Sequence, residues 1–228
     1  MTEAPSVPDA KSNGIAERLI EAAIRLLAVQ GPSALKARTV AADAGMSTMV
    51  VYNYFGGVPE LVAAVVDYGF NQIERTFARL PVTDDPVADL FTMALTTLDR
   101  ARSNPHLYDA MFGLSTRSTY RPTSEKDVRR PGRSPAFRAA YAHIVDACAR
   151  LGASGRVSIN DPGAAAGALW SFVHGYISLD LAHHFAEFDD PVSDVLIPLG
   201  VTFCVGLGDD PDAALASHQR ALSQSLHQ

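Results

Sequence analysis

Along most of this chain apolar residues recur every third or fourth position, the spacing of one helix face. Ile15, Leu19, Ala22 and Leu26 fall at i, i+4, i+7 and i+11, with Ala23 and Leu27 widening the stripe. They predict a first helix over 15–30, capped by Ser12 or Asn13 and ended by Gly31-Pro32. Val62, Val65, Val66, Ile73 and Phe77 mark a long helix from Val58 to about Leu80. At 1.5 Å per residue it reaches roughly 30 Å, enough to connect two parts of the protein. Leu90, Met93, Ala94, Thr97 and Leu98 form the stripe of a helix opened by Asp85-Pro86. Leu107, Tyr108, Met111 and Phe112 belong to a short helix after Pro105. Phe137, Ala140, Tyr141, Ile144, Val145 and Cys148 predict another over 136–151. The segments 162–185 and 191–207 are apolar nearly all round, and Pro198 should kink the second or shift its boundary. A polar helix closes the chain after Asp210. No alternating strand pattern or internal repeat intervenes, so the expected fold class is all-α, with nine or ten helices.

One stretch, 36–55, breaks this regularity informatively. Arg38 to Ala44 is short and Ala-rich, and Ala is the best helix former. Gly45 stands where a helix that stops and reverses needs a left-handed residue. Ser47 can cap a second helix, Thr48 to Phe55, of about two turns. Val51 and Phe55 share its inward face, with Met46 packing beside them. Met49, Val50 and Asn53 point the other way, with Tyr52 at the edge. So short a helix exposes such residues only where the surface meets a partner. A helix, a Gly-containing turn and a second helix with an outward face describe a helix-turn-helix, whose second helix enters the DNA major groove.

Leu35 to Leu61 resembles the DNA-binding signature of TetR-type (tetracycline-repressor-like) regulators. The shared marks are Arg38, Val40-Ala41, Ala44-Gly45, Ser47, Tyr52-x-Tyr54-Phe55 and Glu60-Leu61, in one ungapped frame. The resemblance covers roughly the first third of the chain. It implies a three-helix head over 13–73, with its helix-turn-helix at 36–55, and a ligand-binding and dimerisation domain over 81–228. The outward face of the second helix predicts base contacts from Met49 and Val50 and phosphate contacts from Tyr52, Asn53 and Tyr54, and Lys36, Arg38, Ser47 and Thr48 are further candidate DNA contacts. Such families usually carry Thr near 36, a small polar residue at 57 and Lys at 58; this chain has Lys36, Gly57 and Val58. The missing Lys removes a phosphate contact. Trp170 to Leu181 also resembles one subgroup of TetR-type C-terminal domains with a Trp…His-Gly element.

Charge qualifies this picture. The net charge is −6, and between Asn13 and Ile73 four basic residues face five acidic ones. A DNA-binding head usually has a basic excess. Backbone N–H groups at helix N-termini also hold phosphate, so the expectation becomes a shallower salt dependence. No run approaches the ~18 apolar residues of a membrane span, and the N-terminal stretch lacks an apolar signal core. The expected location is cytoplasmic, with Cys148 and Cys204 as buried thiols. Residues 117–135, with Arg129, Arg130 and Arg133, are polar and Pro-rich and predict a solvated loop.

Candidate chemistry concentrates in the C-terminal part. Phe91, Met93, Tyr108, Met111 and Phe112, with Tyr141, Trp170, His174 and Tyr176, could line a mostly apolar ligand pocket. The helices 162–185 and 191–207 could pair with a second copy through Gly167, Phe172, Val195, Leu199 and Phe203. Asp180/His184 and His183/Glu187 have i, i+4 spacing, but a polar helix end explains them better than a metal site. No phosphate loop, nucleophile elbow or paired-Cys spacing appears. The expectation is therefore no catalytic residue, no metal and no cofactor. The function expected is a dimeric, sequence-specific transcriptional regulator, a repressor released from a palindromic operator by a small apolar ligand. Two alternatives stay open: a helical small-molecule binder with a weakened head, and an enzyme using His174 or His183-His184.

Overall fold

The computed structural model describes residues 10–112 and 134–225. They form α1 (Ala10–Gln30), α2 (Ala37–Asp43), α3 (Thr48–Phe55), α4 (Val58–Phe77), α5 (Pro86–Ser103), α6 (Pro105–Phe112), α7 (Pro135–Ala153), α8 (Pro162–Leu181), α9 (Ile197–Gly206) and α10 (Pro211–Ser225). There is no strand among the described residues. The fold is all-α, and α4 is the long connector that follows the helix-turn-helix. No single described helix is long and apolar enough to cross a membrane. The basic loop expected at 117–135 falls almost wholly outside the described residues.

These helices fall into two compact units. The head unit holds the chain up to Phe70 together with α6 from His106. The C-terminal unit holds Asn71–Pro105 and the chain from Pro135 onward. The boundaries expected from sequence, 13–73 and 81–228, ran consecutively; α6 instead packs with the head. Its Leu107 lies against the head core, and Phe112 meets Phe70 edge-on at 5.8 Å. The Met111 side chain lies over Gly69, where a Cβ would otherwise stand. The head core itself is built from Leu19, Leu27, Val40, Val51, Leu61 and Val65, none more than 1% exposed. Burying each such side chain is worth about 1.5–3 kcal/mol.

In the C-terminal unit α5 is covered on nearly all sides by α7, α8 and α10, burying Val87, Leu90, Phe91, Leu98 and Ala101. Its N-terminus is capped by Asp85, which accepts from the Ala88 N–H at 3.2 Å. Asp161 caps α8 through the Gly163 and Ala164 N–H groups. Arg156 donates to Asp209 at 2.7 Å, Ser217 at 2.9 Å and Asp85 at 3.1 Å, tying the α7–α8 loop to α10 and to the start of α5. Cys148 and Cys204 are buried free thiols, pushed up by burial to about 11 and about 12.

Several helix ends differ from the sequence-based expectation. α1 begins at Ala10, so Ser12 and Asn13 lie within it rather than capping it; Ala10 and Lys11 are good helix formers. α8 ends at Leu181, four residues early, and His183 adopts φ +59°. That turn takes His183, His184 and Glu187 off the helix and dissolves both i, i+4 pairs. Asp180 instead accepts two bonds from Arg102, each 2.8 Å. Ahead of α9, Val192–Leu196 form a π turn in which the Ile197 N–H bonds the Val192 carbonyl. Pro198 accounts for it: it cannot donate to the Asp194 carbonyl, and its ring crowds that carbonyl in a regular α-helix.

Candidate nucleic-acid interface and ligand cavities

The helix-turn-helix is closed by backbone and one arginine. Gly45 takes φ +69°, and the Met46 N–H bonds the Ala41 carbonyl at 2.8 Å, reversing the chain after α2. Arg18 of α1 donates to the Ala44 carbonyl at 2.8 Å, satisfying an α2 C-terminal acceptor. Ser47 occupies the N-cap position of α3 in extended backbone, yet its side chain makes no capping bond and stays exposed.

The face of α3 sorts differently from the sequence-based picture at one position. Val51 is fully buried, and Met49 is 65% exposed, Tyr52 51% and Tyr54 37%. Asn53 is exposed and Thr48 half-buried. Val50 is half-buried against the head core instead of pointing out. The outward face therefore consists of Met49, Tyr52, Asn53 and Tyr54. Of the four basic residues between Asn13 and Ile73, Arg18 is held by α2 and Arg25 pairs with Asp43 at 2.8 Å. Lys36 and Arg38, both exposed at the start of α2, have no ion-pair partner among the described residues.

In the C-terminal unit a small apolar cavity of about 20 Å³ lies among α4's end, α5, α7 and α8. Phe77, Leu90, Met93, Ala94, Thr97, Ile144, Leu169, Trp170, Val173 and His174 line it. Such a volume holds about one water. Burial pushes the His174 imidazole down to about 3, so the ring is neutral, and it lies 4.0 Å from the Trp170 ring. Of the expected pocket residues, Met93, Trp170 and His174 meet here, and Tyr141 packs edge-on to Trp170 at 5.4 Å. Phe91 faces His218 of α10 at 4.6 Å, and Tyr176 stacks on Phe185 at 5.1 Å. Tyr108, Met111 and Phe112 belong to the head unit, where Tyr108 and Phe112 touch at 4.5 Å. The aliphatic lining, Leu90, Ile144, Leu169 and Val173, was missed because aromatic and Met content guided the choice; the α5 stripe already contained Leu90, Ala94 and Thr97.

A second, open cleft of about 1090 Å³ runs along another side of α5 in the same unit. The end of α4, the loop before α5, α7, Asp190-x-Val192 and α10 form its walls.

The expected pairing helices show a defined outer surface. On α8, Ala164, Ala168, Ser171, Gly175 and Leu179 are exposed at helical spacing. On α9, Pro198, Leu199, Thr202 and Val205 are exposed likewise. Phe172 and Phe203 are half-buried against each other at 5.4 Å, and Val195 is half-buried. Gly167 turns inward, since a Cβ there would point at the Tyr141 hydroxyl at 3.7 Å.

A helical head with an exposed α3, followed by a connector and a larger helical unit, is the architecture of a helix-turn-helix regulator. Residues 19–65 match the family described as bacterial regulatory proteins, tetR family, and residues 90–198 match the tetracyclin repressor-like C-terminal domain. Together the two matches span more than half of the chain, and it belongs to the TetR family of regulators. No protein of curated function matches it in sequence. Among solved structures, a protein of unknown function from Rhodococcus sp. RHA1 is similar at TM-score 0.69 and 20% identity, covering 91% of this chain and 100% of that one. RolR in complex with resorcinol is similar at TM-score 0.64 and 17% identity, covering 92% and 95%. SmeT in complex with triclosan is similar at TM-score 0.52 and 23% identity, covering 76% and 83%.

Proposed function

We propose that this protein is a dimeric transcriptional repressor that reads a palindromic operator with α3 and is released from it by a small apolar ligand. The observation that carries the reading is the outward face of α3: an eight-residue helix anchored by a fully buried Val51 holds Met49, Tyr52, Asn53 and Tyr54 in solvent. Met49 supplies apolar contact to base edges such as thymine methyls, and Tyr52, Asn53 and Tyr54 hold phosphates. Two copies pair through the exposed stripes of α8 and α9, setting two α3 helices about 34–36 Å apart, one DNA turn.

The ligand enters between α5, α7 and α8 beside Trp170 and His174. The cavity there is water-sized, so the ligand must part those helices to enter. RolR and SmeT were each solved with a phenol, resorcinol and triclosan respectively, which supports an aromatic ligand for this apolar wall. α4 has residues in both units and couples ligand to operator. Coupling is reciprocal, so operator DNA weakens ligand binding by the factor by which ligand weakens operator binding.

Selection of bound duplexes from a random pool tests the reading. A recovered palindrome is expected, with a log–log salt slope near −4 for two cations per head, at roughly 0.9 per phosphate contact. Failure to enrich any sequence would favour a helical small-molecule binder with a weakened head, the reading suggested by the net charge of −6 and by Val58.

A further inference from the structure

The direction in which α3 projects is set by the short turn, Ala44 to Ser47, that joins it to α2. α2 has seven residues and α3 eight, too few for either to hold its shape as an isolated helix. Within the turn the Gly45 N–H bonds the Ala42 carbonyl at 3.1 Å, and the Met46 N–H bonds the Ala41 carbonyl at 2.8 Å. The Ser47 side chain adds no cap. These bonds close the end of α2, but neither uses the carbonyl of Ala44, a residue only 6% exposed.

A side chain of α1 takes that carbonyl. Arg18 Nη2 donates to it at 2.8 Å. The same nitrogen stands 3.9 Å from where a Gly45 Cβ would be, so the guanidinium lies across the turn. About two helical turns further along the same face of α1, Arg25 reaches the neighbouring residue, donating to one Asp43 carboxylate oxygen at 3.2 and 2.8 Å. The two contacts fix different things. The Arg25 and Asp43 side chains are 56% and 33% exposed and can move together without shifting the backbone. Arg18 instead holds a backbone oxygen, and so constrains the peptide from which Gly45 turns.

We propose that Arg18 is a positioning residue for operator recognition: through the Ala44 carbonyl it fixes the angle at which α3 leaves the turn, and it meets no phosphate itself. This rests on the reading of α3 as the helix that enters DNA. A head without the bond samples other orientations of α3, and only its competent fraction binds. In a dimer that fraction enters once for each head, so a modest loss of order is squared in operator affinity.

The full chain and the variants Arg18→Met, Arg18→Lys, Arg25→Met and Lys36→Met are compared by amide hydrogen exchange and by binding to the duplex selected from a random pool. Arg18→Met should speed exchange of the Gly45 and Met46 N–H groups by about tenfold, the effect of losing one charge-assisted hydrogen bond. Arg18 is exposed, so the melting temperature should change little. Operator affinity should fall by at least about tenfold while the salt slope keeps its unaltered value. Arg18→Lys, which retains a donor, should restore part of that affinity. Lys36→Met, which removes an exposed cation at the start of α2, should instead make the slope shallower by about two for the two heads. Arg25→Met removes the same charge from the same face and should cost less than about twofold. Unchanged exchange at Gly45 and Met46 would overturn the proposal whatever the DNA result. So would a shallower slope for Arg18→Met, which would make Arg18 a phosphate contact, or an equal loss from Arg25→Met, which would reduce the effect to charge. An unaltered chain that selects no duplex would sink the reading of α3 itself, and the exchange rates would still decide whether Arg18 holds the turn.

Discussion

The head and the C-terminal unit both leave apolar side chains in solvent, and they do so in opposite patterns. On α3, Met49, Tyr52 and Tyr54 stand out from a helix of eight residues whose opposite side is sealed by Val51. On α8 and α9 the exposed residues form continuous stripes, and the two helices have apolar residues on every side. Apolar residues exposed one by one need no partner, whereas residues grouped on one face, as on α3, or along a stripe, as on α8 and α9, suggest an interaction surface. The two patterns also differ in size of residue. α3 offers large amphipathic groups suited to grooves and phosphates. α8 offers Ala164, Ala168, Ser171 and Gly175, small groups that let a second backbone come close.

The largest effect should come from charging a stripe. Leu199→Glu combined with Ala168→Glu should give monomers in sedimentation and cost at least about 3 kcal/mol, or more than a hundredfold, in operator affinity. A dimer that survives both charges would remove the assembly proposed for α8 and α9. Next in size is Gly200→Ala. The added Cβ would overlap the His218 ring, whose Nδ1 is fixed at 2.7 Å to the Ala214 carbonyl and whose other face meets Phe91. A rigid ring cannot yield, so thermal melting should report a loss of about 1–3 kcal/mol.

Acid should act mainly on the C-terminal unit. Burial holds His174 at about 3 and lowers His218, so both are neutral when folded, whereas the unfolded chain takes up protons below about 6.5. Above pH 6.5 neither state is protonated and the two rings cost nothing; as pH falls below that, protons taken up only by the unfolded chain destabilise the fold, for His174 down to about 3. His174 alone should cost about 2 kcal/mol between pH 7 and 5, and His174→Gln should flatten that slope in melting experiments. The smallest effect should be Gly69→Ala in the head. Its Cβ would meet the Met111 side chain, which is flexible and can move aside, so the loss should stay below about 1 kcal/mol. A Gly69 penalty as large as that of Gly200 would erase the distinction between a yielding and an unyielding neighbour.

The helix-turn-helix was legible because its signals are local. Gly45 sets a turn over four residues, and Val51 and Phe55 define an inward face over five. Val50 escaped this logic: its place on the helix wheel is outward, but it leans onto the head core, which residues of α1, α2 and α4 assemble. The cavity was only partly legible. Its wall combines residues from four helices, and composition cannot tell Met93, which lines it, from Met111, which packs on Gly69. The placement of α6 is likewise long-range, resting on contacts such as Leu107 with the head core and Phe112 with Phe70. The early end of α8 was hidden because the apolar pattern runs on to Phe185, which the chain buries by turning back onto Tyr176.

The π turn before α9 can be understood as a matter of phase. It takes up one residue more than the α-helical path it replaces, and each residue turns a helix by about 100°. Val192, at its start, is buried, and eight residues later Gly200 must face His218. An uninterrupted α-helix of the same length would satisfy one of these contacts and rotate the other away. Deleting a single residue between them would therefore swing Leu199 and Val205 off the outer surface in one step, a change that no series of point substitutions reproduces. In inheritance as in engineering, the face that α9 presents is governed by length.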